Sequence, residues 1–540
     1  GLTREGKRTR NAPYLRVFRD LATPNPRDVG ALRVKAQHRQ ILNERKARID
    51  ERLNSPPEWR LRPMIGGANV SYEVASRVTA IFCGGIGLVH AFVRALGLPE
   101  AIDRHLQIFE RHFPYFESDH VLNLTYNIMP GGTCLEDIEK LRQDEGYLNA
   151  LGAERIPDPT TAGDFLRRFD FEHVFALMNA FDEVRLEVWK KLPPSQRELA
   201  RVDVDGTITE TTGECKQGMD MSYKGVWGYA PLIVSLANTG EVLYTANRPG
   251  SAPSHAGAPW FMDQAADRLL TGGFKRVRFR GDTDFSLTEN FDRWTDEDLE
   301  FVFGMDANRA FVKRAEDLPE TAWKRLRRRN KHRRLGPRRE RPENVKDQVV
   351  IRREYKKLHL EEEHITEFDY TPTKCRKTYR MVVLRKTIRV TKGQLHLYDE
   401  TRYFFYVTNV SRRVLSSQAV VFEANDRCNQ ENLIAQLNGG VHALRTPSNG
   451  LVSNWAWLAI ASLAWNIKAW MSICLPKTMR SEKHEIRRME FRRFLHSLIL
   501  LPCQVVKTGR RLVLRLLTWS PWAHVLLDGT EHFRRQRCPA

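Results

Sequence analysis

No two of the eight cysteines in this 540-residue sequence are spaced as Cys-x-x-Cys. They are scattered (Cys83, Cys134, Cys215, Cys375, Cys428, Cys474, Cys503, Cys538). That scatter excludes the paired-cysteine zinc motifs and a disulfide framework, and predicts reduced thiols. An apolar leader is also missing: the N-terminus is polar and basic, so no secretory signal is expected. Acidic residues fall short of basic ones. Lys+Arg minus Asp+Glu is 86 − 66 = +20, a balance that favours a polyanion partner, most often nucleic acid. Long apolar runs are nearly absent. Residues 451–475 come closest, with Lys468 as the single charge and four tryptophans (Trp455, Trp457, Trp465, Trp470). Asn454, Ser462, Asn466 and Lys468 interrupt that run, so it reads as a buried helix of a globular protein and not as a membrane span. What remains is 41% hydrophobic, enough for packed cores, in a chain long enough for two to four domains.

Composition shifts divide the chain. Residues 1–60 form an Arg-rich arm closed by Ser55-Pro56-Pro57. Residues 61–192 read as helical: Ile86–Gly97 carries a helical apolar stripe, and His120–Met129 stops at Pro130-Gly131-Gly132. A third helix starts near Thr133, and a last one reaches about Lys191. Pro193-Pro194 opens a sheet segment, 193–311. Its strands are Leu199–Val204, Val226–Ala237 (broken near Pro231), Glu241–Asn247, Arg276–Arg280 and Glu300–Met305, with helices at His255–Leu270 and Leu287–Leu299. The order βββαβαβ implies an α/β sheet with an initial antiparallel meander. It is interrupted over 312–415. Residues 324–341 hold eleven Lys/Arg against one acid, Glu340, which predicts a loop or an extended interaction segment. The alternating stretches Thr378–Leu384, Lys386–Val390 and Tyr403–Val407 then predict a small antiparallel β insertion. The sheet domain resumes near Ala419-Val-Val-Phe and runs through 416–475, including a helix over 425–441. A basic helical C-terminal region, 476–540, closes the chain.

Three acids stand out by position. Asp203 and Asp205 lie two apart on the first strand, so both point to one face of the sheet, and spacing does not choose between them. Asp282 ends the fourth strand, with Asp284 close behind, and Gly281 is expected to let the backbone turn there. Glu431 lies four residues after Arg427 and shares its helical face, to which Asn438 returns. Two aspartates and a glutamate can hold two hard cations. Mg²⁺ prefers carboxylate oxygens, and a metal pair about 4 Å apart can activate one oxygen and stabilise another during in-line attack on a phosphodiester. A neighbouring Arg can clamp a phosphate. With 66 acidic residues, such triples arise often by spacing alone. It is the strand order and the positive charge that single this one out.

Several stretches together give a more specific reading. They are Val202-Asp-Val-Asp-Gly-Thr-Ile, Tyr223-Lys-Gly-Val-Trp-Gly-Tyr-Ala-Pro-Leu, Asn247-Arg-Pro-Gly, Phe279-Arg-Gly-Asp-Thr-Asp-Phe, Glu423-Ala-Asn-Asp-Arg-Cys-Asn-Gln-Glu-Asn and Ser453-Asn-Trp-Ala. Gly131-Gly-Thr-Cys-Leu-Glu-Asp-Ile and Thr161-Ala-Gly-Asp-Phe-Leu-Arg-Arg-Phe complete the set. Over roughly 70–520 the sequence resembles DDE-type transposases of bacterial insertion sequences, specifically transposase DDE domain group 1. The resemblance implies an RNase H-like catalytic core (βββαβαβ-α) interrupted by a β-rich insertion, with a helical N-terminal domain that binds DNA ends. It implies a transposase that cleaves transposon ends and joins them to target DNA, using two Mg²⁺ ions with Mn²⁺ tolerated. The partners implied are terminal inverted repeats, target DNA and a second copy in a synaptic homodimer, in a bacterial cytoplasm at the nucleoid and not at a membrane.

Carried over residue by residue, the catalytic and metal-binding triad is Asp205, Asp282 and Glu431. Asp205 is taken over Asp203 because the family's Asp precedes the Thr-bearing turn. Asp282 is taken over Asp284 because the family pattern is Arg-x-Asp-x-x-Phe. Asp203 and Asp284 remain as neighbours that support the ligands. Relatives carry Tyr-x2-Arg-x3-Glu-x6-Lys around the glutamate. Arg427 and Glu431 match it here, while Ala424 and Asn438 stand at the Tyr and Lys positions. Phosphate contacts are therefore expected from Arg427 and from the basic run, Lys324, Arg325, Arg327, Arg328, Arg329, Arg333 and Arg334. A two-metal nuclease that cuts without joining, and a non-catalytic DNA-binding protein, are the competing readings.

Overall fold

A computed structural model describes residues 36–54, 74, 78–112, 114–328, 348–349, 352–353, 356–392, 395–509 and 511–536. Arg329, Arg333 and Arg334, the Ser55-Pro56-Pro57 linker and the Lys392-Gly393 turn's glycine lie outside the described residues. The chain divides into two compact units, Gly1–Lys191 with Gln436–Ala540, and Leu192–Ala435.

The first unit is built on the tryptophan-rich segment, a 24-residue helix, Leu451–Cys474, buried from Ser453 to Cys474. Helices Glu117–Ile128, Pro159–Arg167, Phe171–Lys190 and Arg480–Arg488 pack around it. The polar residues that interrupt its apolar run find partners. Asn454 donates to the Ser448 carbonyl at 2.9 Å and accepts from the Ser448 N–H at 3.0 Å. Trp457 Nε1 donates to the His442 carbonyl at 3.1 Å. Among the described residues, no helix is long and apolar enough to cross a membrane.

Lys468 sits on this helix at 1% exposure. Its ammonium lies 3.9 Å from the Trp465 ring centroid and donates to the Arg487 carbonyl at 3.3 Å. Burial pulls its pKa down to about 7. The unfolded chain keeps that proton to about pH 10, so the fold bears the cost at neutral pH and sheds it as pH rises from about 7 towards 10. Lys468→Met is expected to raise the thermal midpoint at pH 7. Its advantage over the wild type should shrink by up to about 1.4 kcal/mol per pH unit above that. Scanning calorimetry at several pH values measures both.

The C-terminal region departs from the helical expectation. Cys503–Thr508 and Arg511–Leu516 pair as a hairpin, and Thr79–Ile81 joins its free side. Arg511–Leu516 alternates exposed and half-buried positions, the two-residue period of a strand with one covered face. Its basic, amphipathic composition concealed that period.

The second unit carries the sheet. Its strands are β1 (Ala200–Gly206), β2 (Leu232–Leu236), β3 (Glu241–Ala246), β4 (Val277–Gly281), β5 (Glu300–Met305), β6 (Lys324–Arg325), β7 (Lys356–Tyr370), β8 (Tyr379–Lys392) and β9 (Leu395–Thr408). They form one mixed sheet in the order β6-β7-β8-β9-β5-β4-β1-β2-β3. β1, β4 and β5 run parallel, β2 pairs antiparallel with β1, and β3 pairs antiparallel with β2. Every residue of β2 and β3 is buried, as expected of strands covered on both faces. Helix α1 (Ala258–Thr271) contacts β1 to β4. Next to β4 and β5, Phe279, Phe291, Trp294, Phe301 and Phe303 form an aromatic cluster in which Phe291 stacks on Phe301 at 4.4 Å.

The strands of the interruption are longer than their sequence signals. Thr378–Leu384 and Lys386–Val390 merge into β8, Tyr403–Val407 extends back to Leu395 in β9, and β7 gave no recognised signal. They continue the same sheet, because Phe405–Thr408 of β9 pairs with Val302–Met305 of β5. Ala419-Val-Val-Phe resumes the domain as helix α2 (Ser417–Asp426), capped by Ser416 Oγ. Val420 and Val421 bury against Val302, Ile365, Val382 and Leu384. After Arg427, helix α3 (Cys428–Gly439) begins, so the expected helix over 425–441 is two helices with Arg427 at the break.

Candidate active site

The parallel pairing of β1 with β4 sets the geometry. Asp203 registers opposite Arg280, so Asp205 and Asp282, each two residues further on, come side by side at the strand ends. Asp205 is half-buried, and its neighbour across the helix break is Arg427, whose Nη1 donates to Asp205 Oδ2 at 3.2 Å. Burial raises the Asp205 pKa to about 6. Arg427 and the Gly206 N–H oppose that rise, while the charges of Asp282 and Glu431 add to it. Asp282 is also raised, first by burial and then by Asp284 and Asp306, against the pull of Arg427. Its own Oδ1 accepts the Asp284 N–H at 3.1 Å. Glu431 is exposed on α3, beside the buried Gln430.

Three acids and one arginine thus share an electrostatic neighbourhood. The donor set suits a hard divalent cation: the ligand atoms are carboxylate oxygens, and burial, with neighbouring acids adding to it, makes both aspartates resist ionisation, a cost a cation would remove. The side chains do not form a finished cage. Among the described residues, no three His, Cys, Asp or Glu side chains stand close enough to hold one ion, and Arg427 holds Asp205.

Asp203 lies apart from this group in kind. It is 1% exposed, and Arg280 grips it in a two-point pair, Nε to Oδ1 at 2.6 Å and Nη2 to Oδ2 at 2.8 Å. Burial raises its pKa in spite of that pair. Both of its oxygens are engaged in that pair. Asp284 is exposed and bears on the site through its charge on Asp282. Gly281 matters for a reason other than the turn: its φ is not positive, but a Cβ there would come within 2.7 Å of Phe285 Cβ.

The basic run divides. Lys324, Arg325 and Arg327 are exposed, the first two on edge strand β6. Arg328 is spent on Glu363, to which it donates at 2.5 and 2.8 Å.

Three features escaped the sequence reading. Asp306 follows β5 as Asp282 follows β4, and that shared strand-then-Asp pattern was its signal. Arg248, of Asn247-Arg-Pro-Gly, is buried against Gly206. It donates to the carbonyls of Ala230 (2.7 Å), Pro253 (3.3 Å), Ser254 (2.9 Å) and Ala256 (2.7 Å), which pins the 249–257 loop beside the turn after Asp205. Burial with no acid beside it lowers its pKa to about 10. Finally, Glu423 on α2 takes hydrogen bonds from Arg201 on β1 and from Arg278 and Arg280 on β4, at 2.8–3.0 Å. Burial pushes the Glu423 carboxyl up, and the three guanidiniums outweigh it and hold it below the usual range.

No curated protein matches the chain. Among solved structures, a piggyBac transposase in a synaptic complex with hairpin DNA aligns with 78% of this chain and 86% of its own. The identity is 11% and the TM-score 0.30, too low to assign a fold. The family model described as Transposase DDE domain group 1 matches residues 79–538. That match spans both units and every acid of the site, and the chain belongs to the transposase DDE domain group 1 family.

Proposed function

We propose that this protein cleaves transposon ends and joins them to target DNA at a site built from Asp205, Asp282 and Glu431, on an RNase H-like core. The observation that carries the reading is the juxtaposition at the β1 and β4 ends. Two aspartates come side by side there by strand register, Arg427 at the α2–α3 break bonds Asp205, and the charge of Glu431 on α3 acts on Asp205. The five core strands, in the order β3-β2-β1-β4-β5 with the first two antiparallel, support the fold assignment.

In this reading Asp205, Asp282 and Glu431 hold two Mg²⁺ ions, with Mn²⁺ accepted in their place. Bound there, such ions supply Lewis acidity to the phosphodiester and a nucleophilic oxygen at neutral pH. The chain's own residues do the positioning. Rigid strand ends fix Asp205 and Asp282. Arg427 balances their charge and offers a planar guanidinium suited to a phosphate. Lys324, Arg325 and Arg327 give DNA backbone contacts that position without reading sequence. The helical N-terminal segment holds the inverted repeats, and two copies pair the ends.

The test incubates the full-length protein and Mg²⁺ with labelled duplexes that end in the inverted repeats flanking its reading frame, together with a target plasmid. Joined product is expected. Cut ends without joining would reassign the protein as a nuclease, and binding without turnover would make it a DNA-binding protein.

A further inference from the structure

One strand repeat below the acids lies a second layer of charges. Asp203 precedes Asp205 by two residues, Arg280 precedes Asp282 by two, and Glu423 precedes Arg427 by four, one helical turn. These residues are joined to each other. Arg280 bonds Asp203 with Nε and Nη2, and its Nη1 reaches Glu423 Oε2 at 3.0 Å and the Glu423 carbonyl at 3.3 Å. Arg278 gives Nη1 to Glu423 Oε1 at 2.8 Å and the rest of its guanidinium to Glu300 Oε2, at 2.6 and 2.8 Å. Arg201 closes the set on both Glu423 oxygens.

Helix α2 also grips the sheet through Val420 and Val421, and through Ser417 Oγ, which donates to Glu367 Oε2 on β7 at 2.9 Å. Seven residues past Glu423, Gln430 is 1% exposed and donates to the Ile233 carbonyl on β2 at 3.1 Å, with Ser235 Oγ on its other side. The segment carrying Arg427 is therefore fastened at both ends, by Glu423 to β1 and β4 and by Gln430 to β2.

We propose that Glu423 is a positioning residue for metal binding, setting Arg427 and Glu431 against Asp205 and Asp282 by closing this three-arginine junction. The proposal rests on the reading above. Its action is separable from folding. If Glu423 loses its charge, Arg280 keeps Asp203, Arg278 keeps Glu300, and Arg201, whose side chain is 37% exposed, turns to water. What is lost is the charged link from Arg201, Arg278 and Arg280 to the helix ahead of Arg427, while Arg427 keeps Asp205 and Gln430 keeps the Ile233 carbonyl.

The experiment compares full-length wild type, Glu423→Gln, Glu423→Ala, Asp205→Asn and Glu431→Gln. Mn²⁺ affinity is read from the free-ion electron paramagnetic resonance signal, and nicking of supercoiled plasmid is followed across a Mn²⁺ titration. Glu423→Gln, which keeps the side chain's length, is expected to weaken Mn²⁺ binding about tenfold. Its nicking should recover at correspondingly higher Mn²⁺, with a near-native melting curve. Glu423→Ala should show the larger shift. Unchanged Mn²⁺ affinity in both Glu423 variants overturns the proposal and leaves the active-site reading standing. So does a nicking defect that no Mn²⁺ concentration restores. If Asp205→Asn and Glu431→Gln bind Mn²⁺ and nick like wild type, the active-site reading fails and the proposal falls with it.

Discussion

Asp205→Asn is expected to abolish both end cleavage and strand joining, by about a thousandfold or more, while leaving a fold more stable than the wild type. The two effects have one cause. Asp205 is a half-buried carboxyl whose pKa burial raises to about 6, with the charges of Asp282 and Glu431 adding to the rise. The unfolded carboxyl releases its proton near 4, the folded one near 6, so ionisation costs the fold nothing below about pH 4. The cost grows between about 4 and 6 and is complete above. Asparagine keeps the shape and removes that cost. In metal-free buffer with chelator, the variant's thermal midpoint should exceed the wild type's at pH 7, by about 1–2 kcal/mol once the lost pairing with Arg427 is discounted. The two should converge towards pH 4. Activity and calorimetry on one preparation test both halves. An inactive variant that is also less stable at pH 7 would contradict the electrostatic account, and a fully active one would remove Asp205 from the site.

Arg280→Met should give the largest loss of stability. Arg280 is 2% exposed and is the direct partner of Asp203, itself 1% exposed, as well as one of the three cations on Glu423. Its removal leaves a buried aspartate without a counter-charge, a change that typically costs about 3–5 kcal/mol. In a unit of this size that corresponds to a drop in midpoint of about 6–20 °C. The loss should lessen at low pH, where Asp203 takes up a proton. Asp203→Leu in the same chain should restore much of it, because the uncompensated charge is then gone. Urea denaturation of the two single variants and the double variant measures the coupling.

The strands that carry Asp205 and Asp282 were legible because their signals are local. The alternation of Leu199–Val204, the two strands of the meander after it and Arg276–Arg280 marked four core strands, and acids stand at two of their ends. The remainder depended on partners far off in sequence. β5 and β9 pair across about a hundred residues, and nothing in either strand announces the other. The break at Arg427 was hidden because Asn425–Val441 has helical composition throughout. Glu423 lay inside a stretch already singled out, yet its role follows from arginines 145 and 222 residues away. Asp203 could be placed on the right face but not in the right company, because alternation gives direction and says nothing of the partner it meets. The segment Arg511–Leu516 shows the converse error, where basic, amphipathic composition outweighed a period of two.

The continuous sheet has a mechanical consequence. β9 runs 14 residues, about 46 Å at strand rise, yet only Phe405–Thr408 is stitched to β5. β7, β8 and β9 thus form a cantilever whose root lies in the strand that delivers Asp306 and flanks Asp282. Its root is held by four residue pairs to β5, by the footing of α2, and by ties from the β7–β8 turn and Tyr379 to Thr288 and Asp292. A load on the overhang would reach the root as torque shared between β5 and those ties.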